Sequence, residues 1–152
     1  ASGETMRWKT KFTESFPCRL PILGAPMLNV SSGLLAAETC RAGALGFLAG
    51  GHLTALEALF EQVQLFRQKA PPDTPVAIGF IGHSAFRDAD SWDTFRQVME
   101  LHRPSVVQFF APAISVHPAT GQTNVELSQS LGAKVCGQVC SVSEARAALE
   151  AG

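Results

Sequence analysis

The sequence predicts a single parallel α/β domain over residues 1–152. Five short apolar segments begin near residues 21, 45, 76, 106 and 134, and helical patterns lie between them. Their intervals of about 23 to 31 residues match one strand, one helix and the crossover that joins them. The segments are almost continuously apolar, as expected when helices cover both faces of a parallel sheet.

Length, composition and charge agree with one globular domain. The 152 residues are 46% hydrophobic, which is enough for a sizeable core. The formal net charge is -1, which leaves no surplus of positive charge for nucleic acid. No apolar stretch approaches the roughly 20 residues of a membrane-spanning helix, and the amino end lacks the apolar core of an export signal. We therefore expect a cytoplasmic protein without nucleic-acid or membrane partners.

The first predicted unit contains a strand and a short helix. Residues 20–27 form the strand, which Pro26 ends because proline cannot donate a hydrogen bond to an interior ladder. Ser31 and Ser32 offer N-caps for a helix that runs to Arg41, and Gly43 follows as its C-terminal stop.

The second predicted unit has the clearest helical pattern. Residues 45–49 form its strand and residues 50–52 a loop, and Thr54 caps a helix that ends near Lys69. Apolar side chains recur in this helix at three- and four-residue spacing, namely Leu56, Leu59, Phe60, Val63 and Phe66.

Three further units follow the same order. Strands are predicted over residues 76–81, 106–110 and 134–139, and helices over residues 91–102, 124–131 and 143–149. Ser143 is the expected N-cap of the last helix. An open doubly wound sheet and a closed barrel both satisfy this order, and the spacing does not choose between them.

The four cysteines are expected to be reduced and mostly buried. A chain of this size with an ample apolar core does not need disulfides. Cys136 and Cys140 lie four residues apart, which is about 13 Å along a strand. That separation exceeds the roughly 7 Å limit for a disulfide, and it argues equally against a shared metal unless the strand ends before Cys140. No metal site is therefore predicted.

Several segments resemble the nitronate monooxygenase family, formerly the 2-nitropropane dioxygenases. Residues 21–27, Pro-Ile-Leu-Gly-Ala-Pro-Met, are similar to the first barrel strand of that family. Its second to fifth strands resemble residues 43–51, 75–81, 106–110 and 133–139, and the helix start after the fifth resembles residues 143–145. The resemblance implies a (β/α)₈ TIM-barrel type fold, truncated here to about five β/α units from the amino-terminal portion of an FMN-binding barrel.

The resemblance also implies a flavin site at the carboxyl ends of the strands, where barrel enzymes place their chemistry. The turn at Ala25 would support the flavin ring, and Gln138 would bond its pyrimidine edge. Phe109 is expected to line the same mouth. The residues implied for FMN binding are Ala25, Pro26, Met27, Gly79, Phe80 and Gln138.

The catalytic residue is not expected within this chain. In the family, a histidine on a glycine-rich loop after the sixth strand takes the proton, and this corresponds to a position beyond Gly152. His52 follows two glycines in a similar string, but it comes after strand two and is expected to be a loop residue. His83 follows strand three and could face the mouth.

The implied function is an FMN-dependent oxidoreductase that oxidises alkyl nitronates with dioxygen to a carbonyl compound and nitrite. Without the sixth to eighth strands, residues 1–152 alone are expected to bind FMN weakly. Two alternatives stay open. One is a related flavin enoyl-thioester reductase. The other is a catalytically silent truncated barrel that associates with itself or a partner through open sheet edges.

Overall fold

The structure is a computed structural model that describes residues 7–51 and 56–152. Its helices and strands alternate as expected for a parallel α/β protein. In chain order they are α1 (Lys11–Ser15), β1 (Leu23–Gly24), α2 (Gly33–Arg41), β2 (Leu45–Gly46), β3 (Leu48–Gly51), α3 (Leu56–Lys69), β4 (Ala77–Ile81), α4 (Gly82–Ala85), α5 (Ala89–His102), β5 (Val106–Phe110), α6 (Asn124–Ser130), β6 (Lys134–Gln138) and α7 (Val142–Glu150).

All strand pairs are parallel and follow the order of the chain. β1 pairs with β2, and β3, β4, β5 and β6 form a four-stranded sheet in that sequence. A doubly wound sheet reverses its strand order at a switch point, whereas a (β/α)₈ barrel does not. The order therefore has the barrel pattern, although the described strands do not close on themselves.

Most predicted elements are present, with differences at their ends. β5 and the end of α3 at Lys69 match the prediction, and Gly43 follows α2 with a positive φ of 98°. The second strand is divided at Phe47 into β2 and β3 and extends to Gly51. Helices α1 and α4 were not predicted, because each is only five or four residues long and has no apolar stripe.

One predicted N-cap and one predicted helix start were wrong. Ser141, not Ser143, caps α7, because its backbone is extended and its side chain accepts a hydrogen bond from the Glu144 N–H at 3.2 Å. The third predicted helix begins at Ala89 and not at Ser91, since Asp88 caps it through the Ser91 N–H at 2.9 Å. Both caps satisfy amides that the first turn leaves unpaired. The predicted cap Thr54 lies outside the described residues.

The sheet separates two apolar clusters. On its helix side, Ile78, Phe80 and Phe109 pack against the helices. On its inner side, Ala77 and Val106 belong to a cluster against which Phe12 of α1 and Phe16, the residue after α1, pack. Ala77 and Val106 are the first residues of their strands, so α1 covers the amino ends and leaves the carboxyl ends accessible. No helix within the described ranges has both the length and the hydropathy to cross a membrane.

Helix α2 lies very close to β2 because Gly46 has no side chain. A Cβ at this position would overlap the carbonyl oxygen and backbone of Ala36. Gly33 allows a second close approach, and its N–H donates to Gln62 Oε1 of α3 at 2.8 Å. Backbone atoms on both sides of these contacts cannot rotate away as a flexible side chain can.

We predict that Gly46→Ala lowers the free energy of unfolding by about 1–3 kcal/mol, since α2 must shift to relieve the overlap. The urea midpoint, followed by circular dichroism, measures this change. Gly51→Ala is the matched control, because its new Cβ would lie 3.5 Å from Leu28 Cδ1, an ordinary contact. Equal midpoints for the two variants would contradict the close packing of α2 on β2.

Candidate functional site

A cavity of about 190 Å³ opens at the carboxyl ends of the strands, and we call it the mouth cavity. It brings together residues from the segment after β1, from β4 and from β6. The six residues that the sequence analysis implied for FMN binding all line it, namely Ala25, Pro26, Met27, Gly79, Phe80 and Gln138. The first and last of these residues, Ala25 and Gln138, lie 113 positions apart in the chain.

The register of the sheet explains why these residues meet. Gly79 pairs with Gln108 of β5, and Gln108 pairs with Cys136 of β6. Two residues further along, Ile81, Phe110 and Gln138 form the next row. Side chains on one face of a strand recur every second residue, so both rows point to the inner side.

The turn over residues 25–27 is held by Ser31. The hydroxyl of this buried serine donates to the Ala25 carbonyl oxygen at 2.6 Å and accepts from the Met27 N–H at 2.9 Å. The Ser31 N–H also donates to the Met27 carbonyl oxygen at 2.8 Å. Ser31 and Ser32 were both predicted as candidate N-caps, and Ser32 performs that role. Ser31 is therefore a positioning residue that the sequence analysis missed.

Pro26 packs directly on the backbone of Gly79. A Cβ at Gly79 would overlap Pro26 Cβ and Cγ, so only glycine permits this approach. The contact joins the turn after β1 to the centre of β4. It makes Pro26 part of the inner surface of the cavity and limits the movement of its neighbours Ala25 and Met27.

The prediction that Phe109 lines the mouth was wrong. Phe80 does border the mouth cavity, but most of its side chain lies on the other face of the sheet. Phe109 is fully buried on the helix side, with its ring centroid 5.8 Å from that of Phe95. Phe80 borders the cavity, but its side chain also packs on the helix side, edge-on to Phe95 at 5.0 Å. Strand alternation is the reason, because it turns these side chains away from the inner face. The phenylalanine whose side chain belongs to the inner row is Phe110.

Two glutamines supply side-chain polarity to the mouth cavity. Gln138 is exposed at the end of β6. Gln108 is only 7% exposed, and its Oε1 has no hydrogen-bond partner among residues 7–51 and 56–152. The sequence analysis did not select Gln108. The available signal was a single polar residue within an otherwise apolar strand, Val106–Phe110.

Comparison with known proteins finds a nitronate monooxygenase among the relatives of this chain. The chain is 31% identical over 160 residues to a nitronate monooxygenase from Neurospora crassa, and the match covers 91% of this chain and 42% of the relative. The chain is thus a relative of the nitronate monooxygenases. This confirms the resemblance stated from the sequence. No family model matches the chain.

A solved structure supports the same fold. FabK from Thermotoga maritima superposes with a TM-score of 0.73 at 26% identity, over 95% of this chain and 42% of that chain. The parallel α/β class is therefore confirmed, and the strand order agrees with a TIM-barrel neighbour. The chain spans less than half the length of either protein.

For a relative of the nitronate monooxygenases, the positions of the histidines matter. His52 lies outside the described residues. His83 is the second residue of α4 and has an exposed side chain, and its Nδ1 lies 3.1 Å from the Ala111 carbonyl oxygen. It does not line the mouth cavity. The described lining residues include no histidine, carboxylate, lysine or arginine, so they provide no general base.

A second cavity of about 480 Å³ adjoins the mouth cavity, and we call it the side cavity. Phe110 and Gln138 line both spaces, so the Gln138 side chain stands at the boundary between them. The side cavity is lined further by the segment after β5, by Cys140 between β6 and α7, and by Glu144 of α7. The carboxylate of Glu144 accepts a hydrogen bond from the Cys140 N–H at 2.8 Å.

The four cysteines are free thiols, but they are less buried than predicted. Cys18 is buried, Cys40 and Cys136 are half-buried, and Cys140 is exposed. Burial raises the pKa of the Cys136 thiol to about 11, because the thiolate would lose solvation on the inner side of the sheet. Burial also raises the pKa of Cys18 and Cys40.

We predict that iodoacetamide at pH 8 modifies Cys140 well before Cys136. Since the pKa of Cys136 is about 11, only about one part in a thousand of this thiol is ionised at pH 8. Its reaction rate should rise about tenfold per pH unit, because the thiolate is the nucleophile. Peptide mapping by mass spectrometry gives both rates. Equal rates at pH 8 would show that the sheet does not shield the Cys136 thiol from solvent.

Proposed function

We propose that the protein containing this chain is an FMN-dependent oxidoreductase. Its proposed reaction is oxidation of an alkyl nitronate by dioxygen to a carbonyl compound and nitrite. The observation that carries the proposal is the mouth cavity, where Ala25, Pro26, Met27, Gly79 and Gln138 meet at the carboxyl ends of the strands. The similarity to the Neurospora crassa nitronate monooxygenase supports it.

The cavity lining suits a flat ring. A flavin needs a close and mostly apolar surface, with a few polar groups aimed at its heteroatoms. Ala49, Gly51 and Gly79 contribute little or no side-chain volume, and Pro26 offers an apolar surface above Gly79. Gln138 and Gln108 are the polar side chains available to ring atoms. The chemistry that FMN supplies when bound is electron transfer from the nitronate to dioxygen.

The proposed roles of this chain are binding, orientation and exclusion of water. Ser31 holds the turn over residues 25–27 in one conformation, which would seat the ring at a constant depth. The Gln138 carboxamide would donate to the pyrimidine edge and stabilise negative charge there. Ile81 and Phe110 would shield the ring from water. The family resemblance implies that a histidine outside residues 1–152 removes the proton from the nitronate carbon.

We predict that residues 1–152 bind riboflavin and FMN with similar and weak affinity. No described lining residue of the mouth cavity carries a positive charge, so the phosphate gains little there. The two dissociation constants should agree within about threefold, because a solvated phosphate without cations or aligned amides adds little energy. Titration calorimetry measures both. FMN binding that is far tighter than riboflavin binding would require a phosphate site elsewhere in this chain.

We predict that Gln138→Leu lowers the flavin midpoint potential of the flavin-loaded protein and slows its reduction by nitronate. The leucine cannot donate a hydrogen bond to the reduced pyrimidine edge, whose negative charge is then less stabilised. Potentiometric titration and stopped-flow reduction measure the two effects. His52→Ala is the companion variant and should change little. A large loss for His52→Ala with none for Gln138→Leu would exchange the two assignments.

The second candidate is a flavin enoyl-thioester reductase. The similarity to FabK, with a TM-score of 0.73 over 95% of this chain, keeps this class of flavin barrel open. The two reactions have different co-substrates. The flavin-loaded protein should consume oxygen and release nitrite with an alkyl nitronate, and should not oxidise a reduced nicotinamide in the presence of an enoyl thioester. The opposite result would reject the nitronate reaction and support the reductase.

A further proposal is self-association through sheet edges. Among the described strands, β6 pairs only with β5, so the backbone groups of its other edge are unpaired. Helix α7 next to it has no buried residue, and Val142 and Leu149 are exposed. This combination supports association with a second copy of the chain. Sedimentation velocity of residues 1–152 tests it, and a monomer at all concentrations would reject it.

A further inference from the structure

We infer that Gln108 is a second flavin-binding residue of the mouth cavity and that its carboxamide oxygen accepts a hydrogen bond from a ring N–H. This inference rests on the flavin-binding function proposed above. It adds a residue on the inner surface of the cavity, one row deeper than Gln138.

The first observation is a buried polar atom that has no partner. Gln108 is 7% exposed, and its Oε1 is hydrogen-bonded to no residue in the described parts of the chain. A buried carbonyl oxygen loses its hydration and gains nothing in return, which is costly and rare in folded proteins. Trp92 Nε1 is the other such atom among the described residues, and it does not line the mouth cavity.

The second observation is the position of Gln108 within the cavity. Its register neighbour on β4 is Gly79, which carries Pro26 on its inner face, and its neighbour on β6 is Cys136. The Gln108 side chain therefore lies between the proposed ring support and the half-buried thiol. Packing does not require an amide here, because the other four residues of β5 are apolar.

The flavin ring is the candidate ligand that can donate a hydrogen bond to Gln108 Oε1. An unpaired carbonyl oxygen needs a donor, and neither an alkyl nitronate anion nor dioxygen has an N–H or O–H group. A flavin ring has an N–H on its pyrimidine portion in both oxidation states, and a second one when it is reduced. The acceptor in the cavity therefore complements the flavin ring and not the other two reactants.

The test is Gln108→Met, which keeps the length of the side chain and removes its polar atoms. The ligand-free variant should unfold at a higher urea concentration than wild type, because an unsatisfied buried group has been removed. Its affinity for FMN should fall about tenfold, the value of one hydrogen bond in a desolvated site. Gln97→Met makes the same chemical change on an exposed face of α5 and should alter neither quantity.

Each outcome distinguishes this inference from the proposed function. If Gln108→Met binds FMN as wild type does, Gln108 is not a flavin ligand, and the proposed function is unaffected. If the variant is less stable without FMN, the carboxamide has a structural partner such as bound water, and the inference is also overturned. Gln108→Leu repeats the test should the methionine variant misfold. Absence of FMN binding by the wild-type protein that contains this chain, at millimolar FMN, would overturn the proposed function and this inference together.

Discussion

Parallel, in-register pairing of β4, β5 and β6 decides which side chain of each strand reaches the mouth cavity. Once Gly79 is paired with Gln108, and Gln108 with Cys136, the two-residue period of a strand determines every other inner position. A slip of one residue would bring Phe109 into the cavity and send Gln108 into the helix-side core. The helix-side cluster prevents that slip, because its aromatic rings, including Phe80, Phe95 and Phe109, pack tightly at one register.

Apolar packing and the mouth cavity occupy opposite ends of the same strands. At the amino ends, α1 covers Ala77 and Val106 with apolar side chains, and Lys134 Nζ donates to the Ser15 carbonyl oxygen. At the carboxyl ends, small residues such as Gly79 and polar residues such as Gln138 line the mouth cavity beside apolar side chains, and open space remains. The open space at the carboxyl ends of the strands is compatible with a stable fold. The helix-side cluster and the cluster beside α1 bury most of the large side chains.

Close contacts that involve the backbone fix the shape of the mouth cavity. Pro26 on Gly79 and the three Ser31 hydrogen bonds join a turn to the centre of the sheet without any long side chain. Such contacts involve few rotatable bonds, so they hold a ligand surface in one place with little entropy loss on binding. A similar close backbone contact joins α2 to β2 at Gly46. The structure around the mouth cavity is therefore expected to be stiff.

The sequence by itself determined the parallel α/β class, the position of most strands and helices and the family resemblance, because apolar periodicity and short motifs are local properties. It also placed Ala25, Pro26, Met27, Gly79 and Gln138 in one region, since the carboxyl ends of parallel strands share an edge. Only the tertiary structure decided the strand order, the exclusion of Phe109, the burial of Gln108 and the hydrogen bonds of Ser31. These depend on which face of each strand is turned inward and on which partners a polar atom meets. Both follow from contacts between segments far apart in the chain, and a local pattern does not contain them.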